Sequence, residues 1–511
     1  MQRYVENRLL LVLVILHTVI ALPLAVYLNV WVDEASTLYT TANGIAAAFG
    51  SLFTDEKQAP LYFLLLSLWR SIDHSIFFAR LFSILCSLLA ILVFFRLASK
   101  MWEKKNALTV TALFAFHPYL FWASLEIRLY SFVILLTCLL FKFFLDGFLN
   151  DSTETADTRK SRNIAQFFYA VIATAALYTN YYLGFPIVGG FAALLILRKW
   201  KSAKRYFMLM LTVGLAILPL FYIINLQFSD RVVSFQEEKS VAEILRIVWN
   251  HFLTFSLPTE IYAPEERTII STIRLWIVRL SIFGMLIFFL RNKGRDLDKN
   301  VIAFGTVSAI SAAFFIFVYF QLGSGYVEIR HASVYFVSIF LFVCAAVIKV
   351  TPDKFRFAAF LLVLAFYGYS LLLLYPTGVK RGDWQNVVTY ISTNETPVQP
   401  VVVFPVYDKI AVTQYYRGIN NIFPGEKAFS FFAEDTTGSP KMYEHQIQFL
   451  ISEIPPDAIE VWLVTSDKCS VGETCLPLEK FVEANYTVIQ ETDFYREKVR
   501  LLRKQQHDRL N

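Results

Sequence analysis

From residue 9 to residue 375 the chain is a succession of apolar runs, near 9–28, 59–69, 76–98, 106–123, 129–149, 164–178, 181–197, 206–226, 275–290, 301–321, 332–348 and 357–375. Nearly all are close to the ~20 residues that carry a helix across a hydrocarbon core of ~30 Å. Only 17% of residues are charged, where a soluble protein carries roughly 25%, and 56% are hydrophobic. These runs define a mainly α, polytopic membrane protein. The run from Leu9 to Leu28 is too long for the apolar core of a signal peptide, and no small-residue cleavage site follows it. It is expected to be a retained first span.

The segment "APLYFLLLSLW" at 59–69 is too short to cross and is expected to lie at the interface. Charge supports this. With 59–69 not crossing and the N-terminus cytoplasmic, the clusters Arg96/Lys100/Lys104/Lys105, Arg159/Lys160/Arg162, "RKWKSAKR" at 198–205, "RNKGRDLDK" at 291–299 and Lys349/Lys354/Arg356 all fall inside, as the positive-inside rule requires. Were 59–69 to cross, every later cluster would move to the wrong side. About eleven spans are therefore expected. The net charge of +6 reflects orientation and gives no reason to expect a nucleic-acid partner.

After Pro376 the pattern changes to short β-rich runs and amphipathic helices. "RGDWQNVVTYI" reads as a helix, "PVVVFPV" and "AIEVWLVTS" as buried strands, and "YTVIQETDFYREKVRLLRK" as a terminal strand with its extension. The expected division is a membrane domain at 1–375, including a first outer loop at 29–75 with interfacial helices, and a small extracytoplasmic α/β domain at 376–511. Cys86, Cys138 and Cys344 lie in apolar runs as core residues. Cys469 and Cys475 would lie outside, where a disulfide between them is compatible with the compartment.

The same topology gathers charged residues on the outer rim: Asp33 and Glu34 after the first span, Asp55, Glu56 and Lys57, Arg80, Glu126 and Arg128, Arg274 and Arg279, and Glu328, Arg330 and His331. Ionisable groups at span ends that face a common cavity point to function. Acids with arginines suit transfer of a group from a lipid-linked phosphate. A carboxylate takes the proton of an acceptor hydroxyl, and arginines bind the phosphate in a fork and stabilise its departing charge.

The stretches "WVDEASTLYT", "QAPLYFLLLSLW", "FFARLFSIL" and "HPYLFWASLEIRLYSF" resemble the successive motifs of the GT-C membrane glycosyltransferases of families 39 and 83, which include protein O-mannosyltransferases and aminoarabinose transferases. The likeness covers roughly residues 1–375 and is strongest over 1–150. "RGDWQNVVTYI" is similar to the start of the outer domain in bacterial members. The resemblance implies inverting transfer of one sugar from a polyprenyl-phosphate donor to an extracytoplasmic acceptor (glycan, lipid or protein), in a plasma membrane of bacterial type. It implies Asp33 as the catalytic carboxylate with Glu34 beside it, Glu126, Arg128 and Tyr130 as the acid-x-Arg-x-Tyr motif, and Arg330 as the late arginine; Arg80 joins the phosphate-binding group. Two departures stand out. The interfacial helix opens Gln58-Ala59-Pro60-Leu61 where the family has His-Pro-Pro-Leu, and His331 follows Arg330 where a tyrosine is usual.

Each motif has a plainer alternative. Asp33 and Glu34 suit a helix N-terminus, Arg80 and Arg128 suit interfacial anchors, and His117 suits a core histidine. No cluster has zinc spacing, so no cofactor is expected, with a divalent cation between the outer acids left open. The competing function is a transporter or flippase of lipid-linked sugars, which would place charges and broken helices near mid-membrane in repeated halves. The charges gather at one face instead, and the halves show no clear symmetry.

Overall fold

The computed structural model describes residues 2–54, 56, 58–150, 156–228, 240–258, 298–375, 378–425, 440–466 and 475–505, with isolated positions between 269 and 284. The chain forms two compact units, Met1–Val26 with Gln58–Leu374, and Tyr27–Lys57 with Tyr375–Asn511.

The first unit is helical. Among the described residues five helices, Asn7–Tyr27, Ile76–Met101, Tyr130–Leu149, Lys299–Leu322 and Asp353–Leu372, are long and apolar enough to cross a membrane. They coincide with five of the expected spans. Two helix pairs are apolar and long enough only when taken together, Lys104–Ala115 with Pro118–Ser124 and Trp200–Ala216 with Leu218–Gln227, each bent by 55° as a broken span or a re-entrant loop is. The first bend follows from Pro118, which cannot donate to the helix ladder and forces His117 into extended backbone. The His117 imidazole then accepts from the Tyr119 amide at 3.1 Å and caps the second piece, which makes it the core histidine expected. Tyr181–Ile196 and Ser333–Lys349 are shorter apolar helices. The run 164–178 continues the polar start of the Ala156–Leu177 helix, and 275–290 lies outside the described residues except for isolated positions. The segment 59–69 forms the ten-residue helix Leu61–Arg70.

Without a hydrophobic force between helices in lipid, close packing rests on small residues. At Gly189 a Cβ would stand 2.8 Å from the Val307 Cα, so the helices Gly184–Ile196 and Lys299–Leu322 approach too closely there for any side chain.

The second unit is an α/β domain around five strands: β1 Val401–Phe404, β2 Ile422–Phe423, β3 Glu460–Ser466, β4 Tyr486–Phe494 and β5 Glu497–Lys504. Their order is β2-β1-β3-β5-β4. β1 runs parallel to β2 and β3, and β5 lies antiparallel between β3 and β4. Period-two alternation explains the two cores. Val401 and Val403 face Trp384, Val387, Val388 and Ile391 of the helix Trp384–Asn394 and Ile410 to Val412 of the helix Lys409–Tyr415. Val402 and Phe404 face Ile447, Leu450, Leu478 and Val482 on the other side. Cys475 is disulfide-bonded; Cys469 lies outside the described residues.

The expected division kept the whole first outer loop with the membrane domain. Packing joins Tyr27–Lys57 to the α/β domain. Ala35, on the helix Val32–Thr40, is fully buried in the first of the two cores with Val32 packed beside it.

Across β3 and β5, Arg503 donates to Glu460 through Nη2 at 2.7 Å and Nε at 2.9 Å. These bonds hold the Glu460 carboxyl below its ordinary value. A carboxylate with a lowered folded pKa contributes stability above its unfolded value, and that contribution is lost as pH falls through the folded value. Arg503→Met is therefore expected to lower the melting temperature modestly at pH 7, since the pair is solvent-screened. The difference from wild type should shrink as pH falls below the ordinary glutamate range and Glu460 becomes protonated. Melting curves of the two proteins between pH 7 and pH 3 check this, and a pH-independent difference would refute it.

Candidate functional site

In the second unit the acidic pair Asp33-Glu34 occupies the first turn of the helix Val32–Thr40. The two carboxylates have different surroundings. Glu34 is fully buried; its Oε1 accepts from Lys380 Nζ at 2.7 Å, and Lys380 is equally buried. Its Oε2 accepts from the Trp31 amide at 3.3 Å, half of a capping box. Asp33 is half-buried, and its backbone carbonyl accepts from the Thr37 hydroxyl at 3.1 Å. Glu56 accepts from Ser36 at 2.9 Å and Thr40 at 3.4 Å. Asp55, Lys57 and Arg274 lie outside the described residues.

The segment before this helix is bracketed by Lys380 to Gly382. Asn29 Oδ1 accepts from the Lys380 amide at 2.7 Å, and Asn29 Nδ2 donates to the Gly382 carbonyl. Gly382 has φ +144°, and a Cβ there would collide with the Glu497 carboxylate and stand 2.7 Å from Trp384 Nε1. Glycine is needed for the backbone to come this close.

In the first unit the other candidates gather around one irregular segment. Leu125 to Leu129 joins two helices, yet Glu126 is fully buried and Arg128 is only 8% exposed. Irregular backbone in a membrane protein persists only where protein buries it or a cavity borders it. Arg80, fully buried, donates Nη1 to the Ala25 carbonyl at 2.8 Å. One turn further along the same helix, Ser83 donates to the Glu126 carbonyl at 2.6 Å. This bond ties the Arg80 helix to the Glu126 segment.

Aromatic packing links the segment to the Arg330 loop. Tyr130 stacks on Trp122 at 4.9 Å, and Trp122 meets Tyr119 at 5.3 Å. The Tyr119 hydroxyl donates to the Ile329 carbonyl at 3.0 Å, and the Tyr182 hydroxyl to the Tyr326 carbonyl at 3.1 Å. Arg330 itself is half-buried and pairs with Glu328, Nε to Oε2 at 2.9 Å. His331, in the place of the family's tyrosine, sets its ring edge-on to Tyr182 at 6.1 Å. The structure thus assembles Arg80, Glu126, Arg128, Tyr130 and Arg330 on linked elements of the first unit, and Asp33 with Glu34 on the second. Gln58, at the family's histidine position, has its carbonyl held by Gln227 Nε2 at 2.9 Å. Among the described residues no three of His, Cys, Asp or Glu gather as a metal site would require.

Sequence reasoning missed Lys380 and Asn29. A lone lysine before "RGDW" carries no local signal of an acid placed 346 residues earlier.

The architecture is that of the GT-C membrane glycosyltransferases. Over nearly its whole length the chain is similar to the aminoarabinose transferase ArnT of Cupriavidus metallidurans in its apo state, with a TM-score of 0.54 at 13% identity, covering 96% of this chain and 97% of that one. It is similar also to the oligosaccharyltransferase of Archaeoglobus fulgidus in its apo form, with a TM-score of 0.54 at 12% identity, covering 99% of this chain and 75% of that one. At such identities the likeness is one of fold. No family model and no curated protein sequence matches the chain. Membrane-length apolar helices within this fold make it an integral membrane protein.

Proposed function

We propose that the protein is a membrane glycosyltransferase that moves a single sugar from a polyprenyl-phosphate donor to an extracytoplasmic acceptor with inversion. The observation that carries this reading is the burial of Arg80, Glu126 and Arg128 within a membrane-embedded unit. Charges so placed are costly and serve a ligand by default. The GT-C fold supports the same reading.

In this proposal Asp33 takes the proton of the acceptor hydroxyl as its oxygen forms the new bond to the anomeric carbon. The anomeric carbon–phosphate oxygen bond breaks, and the electron pair leaves on the polyprenyl phosphate. Arg80, Arg128 and Arg330 hold that phosphate and stabilise its charge in a site shielded from water, with Glu126 and Tyr130 positioning the arginines. Glu34, with both oxygens engaged inside the domain, supports Asp33 and does not meet the acceptor. The α/β domain and active face are extracytoplasmic, and the membrane is a bacterial plasma membrane.

The test offers purified protein in lipid a panel of radiolabelled polyprenyl-phosphate sugars with cell-envelope acceptors. Label appearing in an acceptor, with the free polyprenyl phosphate released, supports the proposal and names the donor. Donor crossing the bilayer without transfer would replace it with a flippase.

A further inference from the structure

We infer that Lys380 is a positioning residue for the proposed base Asp33, acting through Glu34. The inference rests on the reading of Asp33 given above, but the contacts that carry it lie wholly inside the second unit. Lys380 Nζ and Glu34 Oε1 meet at 2.7 Å with neither side chain exposed. Such a pair is a poor source of net stability, because the desolvation of two charges offsets most of their attraction. It is exacting in geometry: few placements of the Val32–Thr40 helix satisfy a buried ammonium and a buried carboxylate together.

The contacts around the pair remove the remaining freedom. Asn29 reads the backbone on both sides of Arg381, through the Lys380 amide at 2.7 Å and the Gly382 carbonyl. The Arg381 guanidinium lies over the Trp31 ring at 4.4 Å. The Val30 amide donates to the Tyr415 hydroxyl at 2.6 Å. Residues 29–34 are thus clasped by 380–382 and by the helix Lys409–Tyr415. Asp33 lies in that clasped turn, next to the residue Lys380 holds. The α/β domain is in this way part of the catalytic machinery, with Lys380 as the contact through which it acts.

A displacement of about 1 Å in a reacting group costs on the order of 100-fold in rate. Lys380→Met is expected to lower kcat about 10- to 100-fold while the donor KM stays within about threefold, because the donor phosphate is assigned to arginines of the first unit. Lys380→Arg should recover part of the loss, since it restores the cation. The double variant Glu34→Gln/Lys380→Met should exceed Lys380→Met, because it leaves no buried charge without a partner. Should Lys380→Met fail to fold, Asn29→Ala, which loosens the bracket and keeps the ion pair, is expected to show a smaller fall in kcat at unchanged KM.

The experiment measures kcat and KM with the radiolabelled polyprenyl-phosphate sugar that wild type accepts, well below the melting temperature of each variant, with Asp33→Asn alongside. A fall confined to kcat in folded protein supports the inference. Wild-type kcat in Lys380→Met with an inactive Asp33→Asn overturns the inference and leaves the reading of Asp33 standing. A loss that tracks only the fraction of folded protein assigns Lys380 to stability and overturns it also. Full activity in Asp33→Asn removes the base assignment and the inference together.

Discussion

Asp33→Asn is expected to lower sugar transfer by about 10²- to 10⁴-fold, the range a positioned general base contributes. The substitution keeps side-chain size and leaves the buried Glu34–Lys380 pair at 2.7 Å in place. Asp33 is half-buried in the first turn of its helix, where a carboxylate's interaction with the helix dipole is worth roughly 0.3–1 kcal/mol. The variant should therefore fold, bind donor and transfer poorly, a separation of kcat from stability that melting and single-turnover transfer resolve together. Activity equal to wild type would take Asp33 out of the chemistry. Glu126 would then be the acid to examine next, because Glu34 is committed to Lys380.

Arg128→Met is expected to lower kcat/KM by about 10²- to 10³-fold, the effect of losing one preorganised donor to a developing oxyanion. Arg128→Lys should recover only part of this, since an ammonium keeps the charge but lacks the planar fork that grips a phosphate. Arg128 is 8% exposed beside a fully buried Glu126, and removing one member of a buried charged group destabilises as well. Folding must therefore be checked by melting before rates are compared. An Arg128→Met protein that folds and transfers at the wild-type rate would reduce Arg128 to a structural residue.

Much of this architecture is legible in order of residues alone. Apolar length marks the membrane helices because a fixed bilayer thickness demands it, and period-two alternation in "VVVF" marks a strand with two buried faces, as Val401 to Phe404 shows. The bend at His117-Pro118 is equally local. The motif "LEIRLY" stands out because charges inside a membrane protein are costly wherever the chain folds around them.

The division of labour within Asp33-Glu34 is not local. The two acids are neighbours in sequence and nearly equal in chemistry, and nothing in "WVDEAST" ranks one above the other. Tertiary structure separates them: one turn of helix points Glu34 into the α/β domain, where Lys380 waits, and leaves Asp33 half-buried. The assignment of Tyr27–Lys57 to that domain has the same origin. Hydropathy reports where a segment sits relative to lipid, but not which distant apolar surface Ala35 will join. Sequence determined the membrane class, the five long apolar helices seen among the described residues and the residues worth testing, because those follow from local composition and length. The partners of each charge were decided only when residues 346 positions apart came within 2.7 Å, because pairing is a property of the folded packing and leaves no periodic trace in the chain.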